Sequence, residues 1–308
     1  MQPIINAIIT NTSHIILGKN TQIKLALACI LARGHLLIED LPGMGKTTLA
    51  HTLAQVLGLQ FQRVQFTSDL LPADILGVSV YDRNAASFKF HPGPVFTNVL
   101  LADEINRATP KTQSALLEVM EEAQVTLDSE THHLPQPFFV IATQNPSSQI
   151  GTFALPESQL DRFLMRIRLD YPDAASERQL LKSNGGRAQL GSVQAVVDAA
   201  GLQALQAESA EIHVSDALLD YLQNILNYTR QSTAFSAGLS PRAGLSLKQC
   251  AQAWAMIAGR DHVIPEDIQA VLPSVAGHRL ISTNQVEHGK GSLHDQHIFE
   301  LLSAVAIP

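Results

Sequence analysis

The chain has 308 residues, 45% of them apolar and 16% charged, a globular composition with room for about two domains and a sizeable core. Its formal charge of −7 and pI near 5.9 argue against nucleic acid as the main partner, since a domain that grips a phosphate backbone usually carries a basic excess. Two distant cysteines, Cys29 and Cys250, suggest neither a disulfide framework nor a zinc cluster and read as small buried apolar groups.

The longest apolar stretch, residues 25–38, is broken by Arg33, Gly34 and His35. It falls short of the ~20 apolar residues that a membrane span needs. The N-terminus has no basic region followed by an apolar run and a small-residue cleavage site. A cytoplasmic protein without membrane insertion is expected.

The first predicted strand is 35–39, and a helical pattern follows it at 47–57. Between them lies Asp40-Leu41-Pro42-Gly43-Met44-Gly45-Lys46-Thr47. A loop of this kind, leaving a strand and opening a helix, is the context of a phosphate-binding loop. Its backbone N–H groups curl around phosphates and the helix aims its positive end at them. Pro42, Gly43, Met44, Gly45, Lys46, Thr47 and Thr48 are the candidate nucleotide-binding residues. Lys46 is expected to reach the terminal phosphates of ATP, and the Thr47 hydroxyl to bind Mg²⁺. The general pattern begins with Gly, whereas this chain has Asp40 there.

Further strands are predicted at 61–66, 99–103, 138–143 and 163–169, most of them nearly continuous in apolar residues, as for strands covered on both faces. Two interruptions read as inserted hairpins: 78–81 with 88–90, and 124–127 with 131–134. A helical pattern covers 109–122. The order of strands and helices predicts an α/β core with a mostly parallel five-stranded sheet.

The run Val99-Leu100-Leu101-Ala102 ends in Asp103 and Glu104. Ligands gather at the carboxyl ends of parallel strands, where the phosphate loop also emerges. Asp103 is placed to hold Mg²⁺, largely through water, and Glu104 to polarise the attacking water. The next strand runs into Gln144-Asn145-Pro146. From spacing alone Asn145 is equally an amide that orients this water and part of a strand-ending turn. Arg162 precedes the last predicted strand, and Arg242 stands in the first turn of a helix, where it opposes the dipole. Both read more readily as solvated surface groups than as partners of an anion, although an anionic partner would explain the placement of Arg242. His132 and His133 are adjacent on a predicted strand, so they point to opposite faces and cannot chelate together.

After residue 172 the texture becomes helical, with patterns at 174–182, 193–207, 215–229, 241–259 and 265–279. Ser215, Ser240-Pro241 and Pro265 mark helix starts. The expected division is an α/β core over 1–172 and an all-α domain over 173–308.

Taken together, these segments resemble the MoxR-like branch of the AAA+ ATPases. The resemblance is carried by residues 40–47, Asp69-Leu70-Leu71-Pro72-Ala73-Asp74-Ile75, Phe90-His91-Pro92-Gly93-Pro94-Val95-Phe96, Ala102-Asp103-Glu104-Ile105-Asn106-Arg107-Ala108, Ala142-Thr143-Gln144-Asn145-Pro146, residues 155–163 and Ser240-Pro241-Arg242. It implies an AAA+ core with two inserted hairpins, followed by a small all-α lid domain. It implies that Asn145 is the sensor on the fourth strand, Arg242 the lid sensor that reads the γ-phosphate, and Arg162 a finger reaching a neighbouring subunit's nucleotide. A homo-oligomeric ring, usually of six, follows from that. Gly18, in Ile16-Leu17-Gly18, is implied to lie near the adenine. The family is viewed as chaperone-like, acting on protein clients that often carry von Willebrand factor A domains. Two other readings stay open beside it: a chelatase-type motor subunit, and an ATP-dependent assembly switch with little hydrolysis. A GTPase is disfavoured because the chain has no Asn-Lys-x-Asp segment.

Overall fold

The computed structural model describes residues 2–84, 86–145, 151–182, 193–283, 298 and 300–307. In chain order the elements are α1 (Gln2–Ile15), α2 (Asn20–Leu31), β1 (His35–Glu39), α3 (Lys46–Val56), β2 (Phe61–Gln65), α4 (Pro72–Leu76), β3 (Gly77–Asp82), β4 (Ser87–Pro92) and β5 (Val99–Asp103). There follow a 3₁₀ turn (Ile105–Arg107), α5 (Pro110–Glu122), β6 (Gln124–Leu127), β7 (Glu130–His133), β8 (Phe139–Gln144), α6 (Glu157–Leu160) and β9 (Phe163–Ile167). The second half holds α7 (Ala174–Lys182), α8 (Ala199–Ala210), α9 (Asp216–Gln231), β10 (Phe235–Ala237), α10 (Pro241–Ile257), α11 (Pro265–Ala276) and β11 (Ile281–Ser282).

Five strands form a parallel sheet in the order β2-β5-β8-β1-β9. Alternate side chains serve two cores. Leu36, Ile38, Leu101 and Ile141 join one, while Leu37, Leu100, Val140 and Ala142 join the other. Burial on both faces is why these strands read as unbroken apolar runs. Strand β2, at one edge, departs from that pattern, with Val64 its one buried residue, whereas β9 at the other edge keeps it because α2 and α11 pack on it. Both expected hairpins form, as β3–β4 and β6–β7. They touch through Phe90, whose ring stacks on His132 at 4.0 Å.

Two helices stand ahead of β1: α2 contains the apolar, helix-like stretch around Cys29, and α1 precedes it without a signal in the sequence. Every residue of α2 from Leu25 to Leu31 is buried. The chain then turns through Arg33, at φ 57°, into β1. Gly34 is required at this turn, since a Cβ there would lie 2.1 Å from the Leu164 side chain.

Three other differences have local causes. Helix α8 begins at Ala199 because Asp198 caps it, accepting from Gly201 N–H at 2.8 Å. The apolar residues Val193, Val196 and Val197 ahead of it pack against the core outside the helix. Strands β10 and β11 pair antiparallel within the helical half and are too short for any sequence window. At the C-terminal end Ile298, Leu301 and Val305 enter the core.

One core cluster runs from Ile5 to Val305 and so crosses the expected boundary at 172/173. It joins α1, α2, α3 and one sheet face to α8, α9, α10 and α11. Ser215 and Ser240 cap α9 and α10 as expected. No helix among the described residues is long and apolar enough to cross a membrane.

Candidate active site

Residues 40–45 link the carboxyl end of β1 to α3. Gly43 and Gly45 have φ of 85° and 89°, and a Cβ built on either meets nothing within 4 Å. Backbone conformation, not crowding, therefore demands glycine here, and the loop faces open space. Lys46 turns its ammonium to the carbonyls of Asp40 and Gln144. Burial pulls its pKa below the usual value, opposed by Asp40, Asp103 and Glu104. Desolvated and in contact with carbonyls alone, this cation suits a phosphate.

Asp40 is explained by its partners. One carboxylate oxygen accepts the backbone N–H of Leu169 and of Asp170, each at 2.7 Å, and the other accepts that of Leu41 at 2.8 Å. Where the general pattern has Gly, this chain has an acid that ties the start of the loop to the exit of β9.

Asp103 ends β5, which β8 separates from β1, and Glu104 follows it. The Thr143 hydroxyl donates to Asp103 Oδ1 at 2.6 Å and accepts the Glu104 N–H at 2.9 Å. Glu104 adopts the left-handed conformation, φ 57° and ψ 49°, a strained state that is found at functional sites when neighbours enforce it. Its carboxylate takes Arg107 at 2.8 Å and Gln65 at 3.1 Å. Asn145 is half-buried directly after β8, between the acidic pair and the loop.

Gly18, at φ 70°, packs on the first turn of α7, where a Cβ would lie 2.5 Å from Ser176 Oγ. Beside it Lys19 donates to the Tyr171 carbonyl at 2.6 Å. The segment expected to border the adenine therefore lies against the link between β9 and α7.

Arg162 and Arg242 lie elsewhere. Strand β9 runs parallel to β1 with Phe163 beside His35, so Arg162 stands at the amino end of the sheet. A five-residue strand, roughly 16 Å at the usual rise, separates that end from the phosphate loop. Arg162 donates to the Leu117 carbonyl at 2.8 Å and pairs with Glu121. Arg242 reaches the same Glu121 at 3.1 Å and lies 3.8 Å from Asp161. The two arginines are thus brought together, and Arg242 does not reach the phosphate loop of its own chain.

The residues present fit ATP and Mg²⁺. The loop offers open backbone N–H groups and Lys46, while Thr47 and Asp103 are hard oxygen donors of the kind Mg²⁺ prefers. Among the described residues no group of three or more His, Cys, Asp or Glu is placed to hold a metal, so the ion would share its shell with phosphate oxygens.

Comparison with known proteins agrees with this geometry. Residues 35–165 match the ATPase family associated with various cellular activities (AAA), and residues 227–297 match the AAA lid domain. The chaperone MoxR1 of Mycobacterium tuberculosis is 40% identical over 89% of this chain and 75% of its own length. The MoxR protein of Paracoccus denitrificans is 31% identical over 96% and 93%. This chain belongs to the MoxR-like AAA+ ATPases. An uncharacterized Bacillus subtilis protein, YeaC, is 41% identical over 100% of this chain and 96% of its own. A solved structure of a candidate ATPase from Cytophaga hutchinsonii superposes with a TM-score of 0.90 at 36% identity, covering 100% of this chain and 96% of that one.

Within this MoxR-like site, four contributors carried no signal of their own in one sequence: Thr143, Gln65, Arg63 and Arg107. Thr143 and Arg107 sit inside segments that carried the family resemblance. Arg63 and Gln65 lie on the edge strand β2, and only the sheet register brings them to the acidic pair.

Proposed function

We propose that this MoxR-like chain binds ATP with Mg²⁺ and hydrolyses it at the interfaces of a homo-oligomeric ring, usually of six. The energy released serves to remodel or activate protein clients. The observation that carries this reading is the division of the machinery between the two ends of the sheet. Lys46, Thr47, Asp103, Glu104 and Asn145 gather at the carboxyl ends, whereas Arg162 and Arg242 converge at the amino end. Two guanidinium groups that cannot reach their own phosphate loop are suited to a neighbour's γ-phosphate. In this reading Arg242 acts across the interface together with Arg162.

The roles follow from chemistry. Lys46 and the loop N–H groups bind the phosphates and Thr47 and Asp103 hold the metal. Glu104 takes up the proton side of water attack once freed from Arg107 and Gln65, and Asn145 orients that water. Bound Mg²⁺ offsets charge on the phosphate oxygens. Cations supplied from the next subunit stabilise the charge that develops on the γ-phosphate, which couples turnover to assembly. A chaperone-like role is supported by the similarity to the M. tuberculosis chaperone MoxR1. Clients with von Willebrand factor A domains follow from the family resemblance.

The test is ATP turnover against protein concentration, with oligomer size read on the same samples, for the parent and for Glu104→Gln. Specific activity that climbs as rings form, with a variant that binds ATP and does not turn it over, is expected. Constant specific activity across assembly would overturn the interface reading, and parental turnover by Glu104→Gln would overturn the role of that residue.

A further inference from the structure

Neither oxygen of Asp103 is free. Oδ1 takes the Thr143 hydroxyl at 2.6 Å. Oδ2 takes two donors from a single side chain, Arg63 Nη2 at 2.7 Å and Nε at 3.2 Å. The sheet register produces this contact: Arg63 and Gln65 stand opposite Leu101 and Asp103, so Arg63 lies one pleat back on the same face. Arg63 Nη2 also bonds Gln65 Oε1 at 3.0 Å, which steadies the guanidinium along the strand.

We propose that Arg63 is a tethered counter-cation that occupies Asp103 Oδ2 in competition with the nucleotide-bound Mg²⁺. The proposal rests on the reading of this site as one that binds ATP with Mg²⁺. Two features separate a competitor from a mere support. Arg63 covers the oxygen left over by Thr143, which the hydration shell of the ion would need. The side chain of Arg63 is 46% exposed against 11% for Asp103, so the arginine can leave for solvent while the aspartate stays in place. A guanidinium and a dication cannot both crowd one carboxylate oxygen without repulsion. Arg63 thus raises the Mg²⁺ concentration at which the site fills, and neutralises Asp103 in a subunit that holds no metal.

The test is binding of a fluorescent ATP analogue to the full chain across a Mg²⁺ titration, for the parent, Arg63→Gln and Arg63→Lys, with thermal melting to establish folding. Arg63→Gln is expected to lower the half-saturating Mg²⁺ about tenfold, equivalent to ~1.4 kcal/mol. Arg63→Lys keeps the charge but not the forked contact and is expected to fall between; it carries the test if the Gln variant does not fold. An unchanged or higher Mg²⁺ requirement in the folded variants would overturn the proposal and leave the ATP-site reading intact. A parent chain that binds the analogue with no Mg²⁺ dependence would overturn both.

Discussion

The backbone N–H of Asp170 donates to the carboxylate of Asp40 at 2.7 Å, so the first residue of the phosphate loop is held by the segment leaving β9, the strand beside β1 in the sheet. Asp40 is buried, and its carboxylate satisfies three N–H groups in all. Charged acceptors of this kind are worth about 1.5–3 kcal/mol each to lose, less whatever water recovers. Asp40→Ala is expected to lower stability by at least ~2 kcal/mol and to weaken nucleotide binding, because the loop loses its anchor. Asp40→Asn, which keeps one acceptor, should lie between. Urea unfolding with and without ATP measures both effects; equal stability of Asp40→Ala and the parent contradicts the anchoring role.

Arg162 and Arg242 give a complementation prediction. Arg162→Ala should bind ATP like the parent and lose turnover by roughly 10³-fold or more. Mixed with Glu104→Gln subunits, it should regain part of the activity, since some interfaces then join an intact Glu104 to an intact Arg162. Arg242→Ala should be rescued by Glu104→Gln in the same way. A mixture of Arg162→Ala and Arg242→Ala should stay inactive, because every interface lacks one arginine. Activity in that last mixture would separate the two residues.

His35 predicts a pH dependence. Its ring sits half-buried between Met120 O at 3.0 Å and the N–H of Val140 at 3.0 Å, so it donates from one nitrogen and accepts at the other and must be neutral. Burial pulls its pKa from 6.5 to about 4. Above pH 6.5 the ring is neutral both folded and unfolded, and its contribution is fully present. As pH falls toward 4, the unfolded chain takes up a proton that the folded one refuses, and stability is lost. At pH 5 the loss is about 2 kcal/mol relative to pH 7.5. His35→Gln should be less stable at pH 7.5 and should lack this component. Denaturant midpoints at the two pH values measure it.

Arg260 and Asp267 form a forked pair at 2.5 and 2.6 Å, and the Asp267 side chain is 2% exposed. Asp267 also accepts the N–H of Ile264 at 2.9 Å, which closes the start of α11. Arg260 is less buried and can turn to water, so Asp267→Ala should cost about 3 kcal/mol, the low end for breaking a buried pair. Thermal unfolding with nucleotide absent checks this, and a melting point within a degree of the parent contradicts it.

The chemical centre was legible in the sequence because its parts are contiguous. Gly43 and Gly45 with Lys46 and Thr47, and Asp103 with Glu104, are dictated by local backbone demands and by an apolar strand that ends in acid. The strands were legible because burial on both faces leaves unbroken apolar runs, and β2, exposed at the edge, lost that signature. Helix ends marked by Ser215 and Ser240 were legible because a cap is a one-turn interaction. The tertiary structure alone decided what those residues touch. Asp40 meets Asp170, Arg63 meets Asp103, and Arg242 joins Arg162 on Glu121 through contacts between segments far apart in the chain. Pairing β10 with β11 and burying α1 and α2 on the helical half are of the same kind. Such contacts depend on sheet order and register, which residue types in a single chain constrain only through the packing of the whole.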